Sequence, residues 1–180
     1  PPFPAPGADY IRFQQRLDVP GLVYRFRRTF ELAARPSDAC LRITGFTQYA
    51  VWVNNRLAGR GPLPAGRFCA TYDRFDVAAF LQPGRNVIAV QLMVGLYAQT
   101  HLDPAAWIGG GLIADFLVDG RPFLVSDAAW TCELDRAYGF RRPRRNAWRP
   151  FFEEFDARRD EPDWRTVSFD DSAWPACRAG

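Results

Sequence analysis

The feature that most constrains this chain is an alternation of apolar and polar side chains with a period of two, recurring along most of its length. In "VYRFRRTFEL" Tyr24, Phe26 and Phe30 fall on one side, and Arg25, Arg27 and Thr29 on the other. Successive side chains point to opposite faces in an extended strand, so this stretch is expected to be a half-buried strand. "ACLRIT" repeats the pattern, with Leu41 and Ile43 set against Arg42 and Thr44. "TQYAVWVNNRLAGR" places Tyr49, Val51 and Val53 together, then meets Asn54-Asn55, a pair that tolerates the positive φ of a two-residue hairpin. "NVIAVQLMV" is almost wholly apolar and reads as a central strand entered through the turn "QPG". "GLIADFLV", the turn pair Asp119-Gly120 and "RPFLV" read as a further hairpin.

Helical patterns are short by comparison. "FDVAAFL" (Phe75 to Leu81) offers Asp76 as an N-cap over one or two turns, and no segment carries an apolar stripe of helix length. Many short strands joined by Gly, Pro and Asn turns mean an all-β sandwich or barrel. By composition, residues 1–19 read as a proline-rich lead-in, 20–180 as a single domain, and 141–150 within it as a long irregular loop.

With 180 residues and 48% hydrophobic content, the chain can bury a substantial core. No apolar run approaches the ~18 residues of a membrane span. "PPFPAPGADY" has neither the basic end nor the apolar stretch of a signal peptide, and the chain lacks an initial methionine, so a fragment or processed product is expected. The compartment is left open. All 23 basic residues are arginine, facing 20 acids for a net charge of +3, a balance too mild to imply a nucleic-acid partner. Cys40, Cys69, Cys132 and Cys177 are far apart and lack CxxC spacing, which argues against zinc and leaves disulfides open.

The chemistry-bearing residues are few. "FDDSAW" (Phe169 to Trp174) sets Asp170 beside Asp171, and "VSDAAW" (Val125 to Trp130) echoes it with Asp127. Glycoside hydrolysis needs two carboxyl groups converging from ~5 to 9.5 Å apart, whereas adjacent residues diverge. A turn is the better reading: an Asp accepts local backbone N–H bonds, and the tryptophan packs beneath. His101 is the sole histidine, with no GxSxG or Cys/His arrangement beside it, so no catalytic residue is assigned. "GGG" (Gly109 to Gly111) precedes a strand and reads as a close approach of backbone, not a phosphate loop. "RRPRRNAWRPFF", with the cluster Arg141 to Arg145, is followed by the acid-rich "EEFDARRDEPD" and reads as a solvated or domain-facing loop. "GLYAQTHLDPAAW" is the most site-like stretch. Tyr97 and Trp107 offer aromatic faces, and Gln99, His101 and Asp103 offer partners for hydroxyls, so these five are the candidate carbohydrate-binding residues.

In order, "YRFRRTFEL", "QYAVWVNNRLAGRGP", "YDRFDVAAFLQPGRNVIAVQL", "GGLIADFLVDG", "VSDAAW", "FDAR" and "FDDSAW" resemble the N-terminal β-sandwich domain of bacterial α-L-rhamnosidases and related glycoside hydrolases, over about residues 23–177. The resemblance implies a galactose-binding-like jelly roll, ahead of a separate (α/α)6 barrel that holds the catalytic acids. It implies that some members of the domain class bind L-rhamnose with the help of calcium. No ligand cluster for calcium is evident in this chain, and no cofactor is expected. The resulting expectation is a non-catalytic accessory domain that binds carbohydrate weakly or packs against a catalytic domain of the same polypeptide. Two other readings compete: an independent glycosidase using Asp170 or Glu154, and a nucleic-acid-binding module using Arg141 to Arg145.

Overall fold

In the computed structural model, residues 2–13, 22–45, 48–62, 71–93, 111–141 and 152–179 are described. They form thirteen strands: β1 Ile11–Arg12, β2 Val23–Leu32, β3 Ala39–Gly45, β4 Tyr49–Val53, β5 Arg56–Gly61, β6 Asp73–Asp76, β7 Gly84–Met93, β8 Gly111–Val118, β9 Arg121–Val125, β10 Thr131–Leu134, β11 Tyr138–Arg141, β12 Phe152–Phe155 and β13 Arg178–Ala179. The first eight make two four-stranded antiparallel layers, ordered β1-β8-β3-β6 and β2-β7-β4-β5. Such interleaving of the chain between two sheets is a jelly roll. β13 extends the first layer beyond β1, β9 pairs with β8 alongside, and β10 extends the second layer beyond β2. β11 and β12 form a separate hairpin.

The alternation seen in the sequence fixes which side of each strand faces the partner sheet. Tyr24 and Phe26 of β2, Leu41 and Ile43 of β3, Val51 and Val53 of β4, and Ile88, Val90 and Leu92 of β7 meet in one buried cluster. The turns form as their residues dictate: Asn54 (φ 49), Asn55 (φ 63) and Asp119 (φ 48) all occupy the left-handed region. Asn54 is also a strut. Its Oδ1 accepts from the Val87 amide at 2.9 Å, and its Nδ2 donates to the Phe80 carbonyl at 2.9 Å and Asn86 Oδ1 at 2.7 Å. One edge of the sandwich closes because β5 carries glycine where β6 approaches. A Cβ on Gly59 would lie 2.1 Å from the Phe75 ring, and one on Gly61 1.9 Å from Asp73 Oδ2. Gly111 likewise leaves no room for a Cβ, which would lie 2.4 Å from the Ile11 carbonyl.

Three local findings differ from the sequence reading. Between Phe75 and Leu81 there is a single 3-10 turn, Ala78–Phe80, capped by Val77, while Asp76 ends β6 and its Oδ1 accepts from the Ala78 amide at 3.2 Å. Within the proline-rich stretch read as a lead-in, Ile11 and Arg12 form β1 between β8 and β13, with Ile11 fully buried. Just before it, Ser126 Oγ donates to the Asp9 carbonyl and accepts from the Ala114 amide, stitching this stretch to β8. The largest correction concerns β2, expected to be half-buried. Its arginine side is covered too: Arg25 is 2% exposed and Arg27 0%.

Candidate functional site

The covering of β2 comes from the outer face of the five-stranded sheet. Register places Thr131, Arg27, Ala89 and Trp52 in one row across β10, β2, β7 and β4, and Glu133, Arg25, Gln91, Ala50 and Arg60 in the next, ending on β5. The segment 156–177 lies over the first row. Trp164 packs edge-on to Trp52, ring centroids 5.9 Å apart, and joins Ala50 and Ala89 in a second apolar cluster flanked by Phe169 and Trp174.

Arg27 holds this segment from beneath. Its Nη1 donates to the Trp164 carbonyl and, at 3.1 Å, to that of Thr166; its Nη2 reaches the Phe169 carbonyl at 3.3 Å; its Nε pairs with Asp171 Oδ2 at 3.1 Å. Burial pushes the guanidinium pKa down, and the Asp171 carboxylate opposes that shift. Arg25 does the same work one row along, pairing with Asp135 at 2.7 Å and with Asp160 and Glu161 at 3.1 Å each.

This arrangement explains the tandem aspartates. Asp171 Oδ2 accepts from Arg27 and from Thr131 Oγ1 at 2.8 Å, and its carbonyl accepts from the Trp174 amide at 2.9 Å. Asp170 Oδ1 accepts from the Ser172 amide at 3.0 Å, which lowers its pKa. In the upstream echo, Asp127 caps Ala129 at 2.9 Å and its carbonyl accepts from the Trp130 amide at 3.2 Å. Both stretches are turns, as expected. Trp130 is fully buried in the main core, whereas Trp174 is half-buried at the rim of the smaller cluster. Because asparagine supports the same local bond, Asp170→Asn is expected to shift the melting temperature by less than about 2 °C. A larger fall in a thermal scan would show that the charge itself holds the turn.

The second row is only partly covered, and a cavity of about 360 Å³ opens there, lined chiefly by Gln48, Ala50, Arg60, Gly61, Gln91 and Met93. The cause is the small side chain of Ala50. It lies directly between Gln91 and Arg60 in the sheet, at the position where the neighbouring row carries Trp52. Gln91 Nε2 donates to Asp135 Oδ2 at 3.0 Å, so its carbonyl oxygen is the acceptor left for a ligand. Tyr49 borders the cavity but sends its hydroxyl to Asp73 Oδ2 at 2.5 Å and to the Ile43 carbonyl at 3.3 Å. Burial and the Asp73 hydrogen bond both push its pKa up.

The cavity stands at the end of the sandwich where β2 and β4 begin and β5 and β7 finish. The five residues singled out from the sequence, Tyr97, Gln99, His101, Asp103 and Trp107, lie outside the described residues. They belong to the connection from Met93, at the cavity wall, to Gly111. Of the arginine cluster only the backbone of Arg141, at the end of β11, is described. Glu154 stands exposed on β12 opposite Gly139. Among the described residues no group of three or more His, Cys, Asp or Glu is placed to hold a metal ion. Cys40, Cys132 and Cys177 are free thiols, and Cys69 lies outside the described residues.

Residues 34–179 match the family model described as the alpha-L-rhamnosidase N-terminal domain. The chain is similar to an alpha-L-rhamnosidase of Streptomyces avermitilis, 27% identical over 172 residues that take in 86% of this chain and 15% of that protein. It is also similar to the crystal structure of a GH78 family rhamnosidase of Bacillus sp. GL1, with a TM-score of 0.82 and 34% identity over 96% of this chain and 18% of that one. The lectin of Pleurotus ostreatus, solved in complex with GalNAc, shares the fold, with a TM-score of 0.53 and 19% identity over 96% of this chain and 42% of the lectin. The chain thus spans less than a fifth of the length of either rhamnosidase.

Proposed function

The chain belongs to the alpha-L-rhamnosidase N-terminal domain family, and we propose that it acts as a non-catalytic accessory domain of a larger α-L-rhamnosidase-like glycoside hydrolase. It packs against the catalytic domain of the same polypeptide and contacts carbohydrate weakly. The observation that carries this reading is the use made of the two tandem carboxylates. A hydrolase needs a free pair converging on one bond, whereas Asp171 is neutralised by Arg27 and Asp170 is spent on a turn. The rhamnosidase relatives are several times longer than this chain, which leaves room for the chemistry elsewhere.

For carbohydrate contact, the sequence supplies Tyr97, Gln99, His101, Asp103 and Trp107, and the strand ends supply the cavity beside Ala50. A shallow site making few contacts binds on the order of millimolar, or ~4 kcal/mol. In a titration of L-rhamnose and other neutral sugars, with and without calcium, a change in Trp107 fluorescence is expected that Trp107→Ala removes without unfolding the domain. In parallel, the 180 residues alone are expected to leave an aryl α-L-rhamnoside intact. Turnover by the chain alone would make it an enzyme, and silence toward every sugar at tens of millimolar would reduce it to a packing domain.

A further inference from the structure

The cavity beside Ala50 has a chemistry of its own. Arg60 is exposed on β5, and among the described residues no hydrogen bond or ion pair engages it. Two strands away, Gln91 presents its carbonyl oxygen, and Gln48 adds a second amide. Two inter-strand spacings put the Arg60 and Gln91 backbones about 10 Å apart, room for one pyranose ring above Ala50. At about 360 Å³ the cavity is at the lower end of the range of small-molecule sites.

What the described walls lack is a ring free to stack on a neutral sugar, since Tyr49 turns its hydroxyl toward Asp73. An unpaired guanidinium takes the place of stacking, and its planar fork suits a carboxylate. The acids further along the sheet set where that carboxylate can sit. Asp135, Asp160 and Glu161 gather on Arg25, three strands from Arg60. That distance, about 14 Å, exceeds a Debye length at physiological salt. A ligand with a carboxylate at one end and hydroxyls at the other therefore has one favoured orientation, anion toward β5 and hydroxyls toward Gln91.

We propose that this cavity binds uronic acids, the carboxylate-bearing sugars, in preference to neutral ones. The proposal rests on the carbohydrate-binding reading above and gives it a ligand class and a second location. The test follows backbone amide NMR signals of the full chain during titration with galacturonate and glucuronate, and with galactose and glucose as their neutral counterparts. The uronates are expected to shift Gly61, Gln91 and Met93 at least about tenfold more tightly than the neutral sugars, as one charge-assisted pair implies. Arg60→Gln should erase that difference. Arg121→Gln, the same loss of charge at an exposed position on β9, should leave it intact. Equal responses to charged and neutral sugars, the same shifts from acetate alone, or loss of the preference in Arg121→Gln would each overturn the proposal. Shifts confined to other residues would remove this site and leave the accessory-domain reading standing. No response to any sugar would remove this site and the carbohydrate-binding reading together, leaving a packing domain.

Discussion

Arg27→Ala is expected to destabilise the domain by about 3–5 kcal/mol, the usual result of removing one member of a buried ion pair. The side chain is wholly buried and serves four acceptors, so its loss strands the Asp171 carboxylate and the carbonyls of Trp164, Thr166 and Phe169. For a domain of this size that is a fall in melting temperature of roughly 10 °C or more. Arg27→Met should recover little, because it refills the apolar space without restoring a donor. Chemical denaturation followed by tryptophan fluorescence measures the loss, and Trp164 reports on the segment directly. A cost below about 1 kcal/mol would show that segment 156–177 is held by its aromatic contacts alone.

Trp130→Ala should cost a similar amount, about 3–5 kcal/mol, for a different reason. The indole is fully buried between the sheets, its N–H donates to the Val125 carbonyl at 2.9 Å, and its backbone carbonyl accepts from the Cys177 amide at 2.7 Å. Truncation leaves a cavity that rigid neighbouring strands cannot close, together with an orphaned Val125 carbonyl. Trp174→Ala should cost clearly less, because its ring is half-buried and, among the described aromatics, touches only Phe169 and Trp164. Equal losses in the two variants, measured by denaturant unfolding, would contradict the different burial of the two rings.

The strands and hairpins were legible in the sequence because their causes are local. A period of two sets which side chains share a face, and Asn54, Asn55 and Asp119 are residues that accept positive φ. The second layer over β2 was not legible, and the reason is physical. An arginine alternating with aromatics reads as a solvent-facing position unless its partners are known, and Asp171 lies 144 residues away from Arg27. No local pattern encodes that pairing. The turn role of Asp170 could be read from "FDDSAW" itself, but the ion pair made by Asp171 could not. The cavity was equally hidden, since it depends on Ala50 standing between Gln91 and Arg60, an alignment that exists only once three strands are in register. The aromatic stretch from Tyr97 to Trp107 drew attention from composition alone, and its residues lie outside those described.

β1 and β13 run antiparallel as neighbours, with Ile11 opposite Ala179 and Arg12 opposite Arg178. Directly opposed Cα atoms in such a pair are about 5 Å apart. Before Ile11, however, the chain crosses that sheet: the Ala5 amide donates to Asp115 Oδ2 at 2.7 Å, the Pro2 carbonyl accepts from Arg42 Nη2 at 2.8 Å, and Phe3 stacks on Tyr72 with ring centroids 4.2 Å apart. Pro2 thus stands over β3, three strands from Ala179 on β13. The stretch ahead of β1 is a strap across the sheet, so a cut or fusion made just before Ile11 would strip a partner from each of Asp115 and Arg42 as well as release a strand.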